Sequence, residues 1–168
     1  LHEPLPHPVM EEPIRRLLGL TKPKFEELLA TPDGSAELQK RLGAVDVDKV
    51  LGDQRAILAG GSKSKRDNAI KLLGYLTTAK EKNMHPSEWM LNKVPVLPPT
   101  FRPVTMADGM QLTSDANLLY KDLFEANQNS KDAKAMGLDN GQERLTTYNA
   151  LKAVIGLGAP ISIKNQEK

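Results

Sequence analysis

The chain has 168 residues, a net charge of +2 from 23 basic and 21 acidic side chains, and no cysteine. The missing cysteines exclude a disulfide framework, a thiolate zinc site and a cysteine nucleophile. The near balance of charge does not mark a nucleic-acid-binding domain. The length suits one ordinary domain, or one domain with an appendage. With 1 Trp, 3 Tyr and 3 Phe, any core is poor in rings. No apolar run reaches the ~18 residues of a membrane span. The acidic, Pro-rich start LHEPLPHPVMEEP has neither the basic nor the apolar region of a signal peptide. Leu1 and the charged end IKNQEK read as the ends of a piece of something longer.

Pro4, Pro6, Pro8 and Pro13 predict an extended or disordered start. Pro13 can open a short helix, PIRRLLGL, limited by Gly19. Thr21 is placed to cap KPKFEELLA, with Phe25, Leu28 and Leu29 on one face. Thr31-Pro32-Asp33-Gly34 is a turn, after which Ser35 caps AELQKRLG. Asp46 caps a helix through Val47, Val50, Leu51 and Leu58, broken at Gly60-Gly61-Ser62. A stronger helix over 64–82 sets Ala69, Leu72, Leu73 and Leu76 toward a core. Residues 89–97, WMLNKVPVL, read as a strand confined to a sheet edge by Pro95. Asp108-Gly109 predicts a tight loop within 106–110. A long helix from Thr113-Ser114-Asp115 to about Met136, the turn GLDNG, and a helix from Gln142 to Ile155 predict an antiparallel αα-hairpin. Its seam would hold Leu119, Leu123 and Phe124 against Leu145, Tyr148, Leu151 and Ile155. Gly137 and Gly141 are available for positive φ in the turn. The fold class is therefore mainly α with a small β element: short helices, a Pro-braced strand and a helical hairpin.

Chemistry-bearing motifs are sparse. His2, His7 and His85 do not pair at metal-ligand spacing. No Ser-His-acid arrangement, Gly-rich phosphate loop or HExxH signature occurs. Asp46 and Asp48 read as a helix start rather than a metal pair. Residues 63–82 carry six basic side chains against two acidic ones. That is a solvated helix face or, with Lys63, Lys65, Arg66 and Lys71, a surface for phosphates. These residues describe a helical module with no self-contained active site.

The ordered motifs carry more. Ser87-Glu88-Trp89-Met90, Val96-Leu97-Pro98-Pro99, Arg102-Pro103, Asp108-Gly109 and Ser114-Asp115-Ala116-Asn117-Leu118-Leu119-Tyr120 follow one another at set separations. In that order they resemble the largest-subunit family of multisubunit DNA-dependent RNA polymerases, and more narrowly the bacterial β′ subunit. The resemblance implies a location in that enzyme. Residues 1–88 would be the helical base of the clamp. Residues 89–113 would be the strand and lid loop, which helps part RNA from template DNA. Residues 114–157 would be the clamp helices, a stiff rod that in bacteria docks the initiation factor sigma. Residues 158–168 would lead into the rudder and the catalytic barrel.

It also implies roles. Arg102, Asp108, Gly109 and Met110 would serve the lid beside nucleic acid. Gln128, Glu143 and Arg144 would be exposed contacts for a partner on the clamp helices. The partners implied are the β-like subunit, the remaining β′-like parts, DNA template, the RNA–DNA hybrid and an initiation factor. The location implied is cytoplasmic, in a bacterial cell or a phage-infected host. The family's Asn-Ala-Asp-Phe-Asp-Gly-Asp element, whose carboxylates hold magnesium, is absent, so Mg²⁺ would belong to the assembled polymerase, with no cofactor in this chain and no activity of the chain alone. The family's upstream zinc ribbon is absent as well. Met110 stands where a second glycine is usual. Ala126, Asn129 and Asp132 stand at positions that are basic in bacterial relatives. These departures imply a diverged, phage-encoded relative. The alternative is a stand-alone helical adaptor whose hairpin binds a protein partner, with no role in polymerisation.

Overall fold

The computed structural model describes residues 1–161, apart from the side chains of Ala107, Met110, Gln111 and Leu112. Of the expected lead-in over 158–168, residues 162–168 lie outside the described residues. The chain is mainly α with a small β element. In order it forms β1 (Leu5–Pro6), α1 (Glu11–Leu17), α2 (Lys22–Leu29), α3 (Gly34–Gly43), α4 (Val47–Gly60) and α5 (Lys63–Glu81). Then follow β2 (Met90–Leu91), β3 (Val104–Ala107), β4 (Met110–Thr113), α6 (Asp115–Ala135) and α7 (Gly141–Val154).

Local chemistry sets the helix starts. The Asp46 carboxylate accepts from the Lys49 amide at 3.0 Å, which caps α4 and accounts for that acid. The helix α3 begins at Gly34, not after Ser35 as the capping pattern predicts. A Cβ at Gly34 would lie 2.1 Å from the Leu28 carbonyl oxygen, so only glycine lets the chain turn so close to α2. Ser35 instead donates its hydroxyl to the Pro4 carbonyl.

The N-terminal residues are ordered, contrary to the sequence expectation. Strand β1 pairs antiparallel with β2, Leu5 opposite Leu91 and Pro6 opposite Met90. The His7 amide donates to the Trp89 carbonyl at 2.9 Å. The expected strand over 89–97 shrinks to Met90–Leu91, whose partner β1 is itself only two residues long, and Pro95 has no amide to extend the ladder.

Two apolar cores result. The larger one gathers Ile14, Phe25, Leu29, Leu38, Leu42, Leu51, Leu72, Leu76 and Trp89 beneath α1–α5, with Tyr148 of α7 inserted from the side. The smaller one joins Leu5 to Leu123 and Ala126 of α6 and Ala150 and Leu151 of α7. Small residues at Ala126 and Ala150 let the two helices approach. Fully burying a Leu side chain contributes about 1.5–3 kcal/mol, so Leu5 is a substantial anchor for the first residues.

The αα-hairpin forms, but its seam and setting differ from the expectation. Phe124 is 69% exposed and Leu119 half-buried, while Tyr148 sits edge-on to Phe25 at 5.9 Å in the larger core. Helix α7 is no free rod: Gly141, Arg144, Thr147, Tyr148, Ala150, Leu151 and Ala153 are all buried, and it packs on α2. Gly137 does adopt φ +72. Gly141 is needed for space instead: a Cβ there would lie 1.8 Å from the Ala30 carbonyl oxygen. Helix α6 keeps an open outer face, and α7 exposes Gln142, Thr146 and Asn149.

Candidate nucleic-acid and partner interface

Strands β3 and β4 pair in register, Val104 opposite Thr113 and Ala107 opposite Met110. That register leaves Asp108 and Gly109 as a two-residue loop. Both have positive φ, 50° and 75°, as the hairpin turn matching the native strand twist requires. Both are exposed. Phe101, Val104 and Met106 are also exposed, at 72%, 51% and 71%. The structure thus presents a narrow ribbon with an Asp-Gly tip and an uncovered apolar side.

Arg102 does not point at open solvent. Its Nε donates to the Leu97 carbonyl at 2.8 Å and its Nη1 to Asn117 Oδ1 at 2.7 Å. Asn117 returns a bond from Nδ2 to the Arg102 carbonyl at 2.9 Å. The guanidinium lies 5.8 Å from the Tyr120 ring centroid, and the Leu97 amide donates to the Tyr120 hydroxyl at 3.1 Å. Arg102 therefore braces the foot of the ribbon against the first turns of α6. Asn117 and Tyr120 belong to this brace and were not singled out as site residues. Their only sequence signal was membership of the Ser-Asp-x-Asn-x-x-Tyr string.

Beside the brace runs a groove of about 480 Å³, with Val94, Val96, Tyr120, Lys121 and Phe124 among its walls. Further along α6, Gln128 is half-buried and donates to Asp132 Oδ1 at 2.8 Å. Glu143 is half-buried in the first turn of α7. Ala126, read as a lost basic docking position, is buried in the smaller core, so a long basic side chain there would require repacking.

Arg144 overturns its expectation of exposure. It is 1% exposed. Its Nε donates to Glu3 Oε1 at 2.6 Å and its Nη2 to Glu3 Oε2 at 3.2 Å. The same fork reaches the carbonyls of Leu29 at 3.0 Å and Pro32 at 2.8 Å, and that of Thr31. These carbonyls sit at the end of α2, where no helical donors remain. Asn140 supplies a further acceptor at 2.8 Å. Arg144 is thus a structural tie between α7, the α2–α3 turn and the N-terminus, not a partner contact.

Several other polar groups are structural as well. His85 Nδ1 accepts from the Ser87 amide at 3.2 Å, so Nε2 carries the proton and donates to the Val45 carbonyl at 3.1 Å. The His2 amide donates to Asn127 Oδ1 at 2.9 Å. Burial pushes the Glu11 carboxyl up, but hydrogen bonds from Lys152 and Tyr148 and the charges of Lys152 and Arg15 outweigh it, holding the carboxyl below its ordinary value. Burial, then the neighbouring Glu11 charge, pushes the Tyr148 hydroxyl well above its ordinary value. Among the described residues no three His, Asp or Glu side chains converge where a cation could sit. They do not fit a magnesium site, and no metal chemistry is assigned to them. No helix among the described residues is long and apolar enough to cross a membrane.

No protein-family model matches the chain. Individual relatives do. The DNA-directed RNA polymerase subunit beta' of Streptomyces avermitilis is 33% identical over 136 residues, covering 80% of this chain. The subunit beta' of Streptomyces coelicolor matches to the same extent. That of Corynebacterium efficiens is 29% identical over 146 residues, covering 86% of this chain. In each case the chain spans only 9% of the relative's length. The relatives are bacterial and lend no support to a phage origin. The motifs from Ser87 to Tyr120 follow in order through β2, the β3–β4 ribbon and the start of α6, and this similarity identifies the chain as a β′-like segment of DNA-directed RNA polymerase.

Proposed function

We propose that the chain works inside a DNA-dependent RNA polymerase, an assembly that adds ribonucleotides to RNA on a DNA template. It supplies clamp architecture and strand separation, and the metal chemistry resides elsewhere in the assembly. The observation that carries this reading is the exposed Asp108-Gly109 ribbon set on the foot of the long helix α6, within a β′-like sequence. A part that keeps RNA from following template DNA must present a slim, fixed edge. A two-strand ribbon does so, and Arg102 stops it from swinging. In this reading Asp108, Gly109 and Met110 form the edge, and Arg102 positions it without touching nucleic acid.

The same reading gives α6 the docking role for an initiation factor or another subunit. Its outer face, with the Val96–Phe124 groove near one end and Gln128 further on, is the free apolar and polar surface of the hairpin. Glu143 lies near the turn end of the same hairpin.

Deleting residues 106–110 in the assembled enzyme tests the lid role. The deletion removes the ribbon's tip, where Met106, Asp108 and Gly109 are exposed. The expected result is an overextended RNA–DNA hybrid, measured by nuclease footprinting of stalled complexes. An unchanged hybrid length removes the lid role.

A further inference from the structure

The charged groups of α1 are unevenly matched. Arg16 donates to Glu12 Oε1 from Nε at 2.8 Å and from Nη2 at 2.6 Å, and its Nη1 donates to Asn68 Oδ1. Glu11 is engaged as well: its Oε2 accepts from the Tyr148 hydroxyl at 2.8 Å and from Lys152 Nζ at 2.9 Å. Arg15 shares that same carboxylate as an ion pair without a hydrogen bond. Its Nε lies 3.5 Å from Glu11 Oε1, too far for a well-made bond, and is buried without an acceptor. The side chain is only 25% exposed, yet among the described residues its guanidinium donates no hydrogen bond. The deeper guanidinium of Arg144 meets a carboxylate and carbonyls instead. Arg15 lines a cleft of about 490 Å³ between α1 and the α4–α5 pair. Leu17 and Leu20 line it from the α1 side, and Val50 and Leu72 from α4 and α5. Glu12 and the exposed Asp53 line it too.

We propose that this cleft seats the carboxylate of an Asp or Glu side chain from another polypeptide, with the Arg15 guanidinium as its fork and the apolar walls holding the residues on either side of that acid. The chemistry selects this partner. A largely buried guanidinium needs acceptors for its donors, and its planar fork matches a carboxylate or a phosphate. Phosphate carries more negative charge, and Glu12 and Asp53 on the same cleft oppose it. A single carboxylate meets less of that repulsion. A free organic acid would leave Leu17, Leu20, Val50 and Leu72 uncovered, whereas apolar neighbours of an acidic residue in a polypeptide would cover them. This inference stands on the unmatched donors of Arg15 and does not draw on the polymerase reading.

The test uses the full chain and the blocked tripeptide acetyl-Leu-Glu-Leu-amide, followed through the Arg15 Nε–H signal in NMR titrations. A saturable movement of that signal is expected. The analogue acetyl-Leu-Gln-Leu-amide should bind about tenfold more weakly, because a charge-assisted hydrogen bond is lost. Arg15→Gln, read through its backbone amides, should weaken binding of the Glu peptide by about the same factor. Asp53→Asn, on the exposed rim, removes a like charge and should tighten binding roughly twofold. An Arg15 with a merely structural role would leave all three comparisons flat. If Arg15→Gln loses helical signal, the Gln analogue on the parent chain and the Asp53→Asn variant still decide the matter. The proposal is overturned if the Arg15 signal stays fixed at millimolar peptide, or if the Glu and Gln peptides bind alike. Acetate or inorganic phosphate binding as tightly as the Glu peptide would overturn it as well.

Discussion

Arg144 shows how a charged side chain becomes part of a core. Its guanidinium donates to the buried Glu3 carboxylate and to the carbonyls of Leu29 and Pro32. Removing one side of such a buried pair typically costs about 3–5 kcal/mol. Arg144→Met should therefore lower unfolding stability by about that amount in denaturant titrations. A loss under 1 kcal/mol would mean that the tie is dispensable. The burial of Arg144 was partly legible: Arg144, Tyr148 and Leu151 recur at helical spacing on α7, and the latter two were read as inward-facing. Its neighbour Glu143 has the same charge density in sequence but lies about 100° around the helix. The partner, Glu3, was not legible, because nothing local links residue 3 to residue 144. Glu11 gives a second prediction. Its folded carboxyl titrates below its unfolded value, so its contribution is complete above about pH 4.3 and fades as acid protonates the folded form. Glu11→Gln should destabilise the chain at neutral pH and flatten the stability loss below about pH 4.3. An unaltered acid profile in calorimetry would contradict this. Tyr148 acts oppositely: with its hydroxyl held protonated, its contribution fades as pH rises above about 10.

At the scale of elements, the ribbon β3–β4 is a two-stranded hairpin, marginal by itself in water. The Arg102–Asn117–Tyr120 brace supplies what it lacks. Asn117→Ala should speed amide exchange across residues 104–113 while α7 stays protected. Equal protection in parent and variant would show that the brace does not steady the ribbon. The two faces of α6 should also separate cleanly. Leu123→Ala, in the smaller core, should cost about 2–5 kcal/mol, whereas Phe124→Ser, on the open face, should stay within about 0.5 kcal/mol. The Asp-Gly turn, the Asp46 cap and the αα-hairpin were legible because each depends on residues next to one another. The strand over 89–97 was overread, since its alternating pattern meets only a two-residue partner and Pro95 cannot donate to a ladder. The N-terminal strand was missed because prolines disguise it, and because its partner lies more than eighty residues away.

At the scale of the molecule, charge and apolar surface are segregated. Some cations of the body are ion-paired, Arg15, Arg16, Arg144 and Lys152 among them, and others such as Lys24, Lys40 and Lys49 are exposed. The α4–α5 tip is bare and basic, and the ribbon and the α6 face are bare and apolar. Three uncovered surfaces on one small chain fit the proposal that it works within a larger assembly. The chain spans 9% of the length of these relatives. The family was legible from the order of motifs between Ser87 and Tyr120; no single residue carried it. The most direct measurement is to tag the chain in its native cell, purify it under mild conditions, and assay the eluate for template-directed ribonucleotide incorporation. The account predicts co-elution with a β-like subunit and with a polypeptide bearing the Asp-rich magnesium element, together with DNA-dependent RNA synthesis. Recovery of the chain with neither polymerase subunits nor RNA synthesis would contradict it.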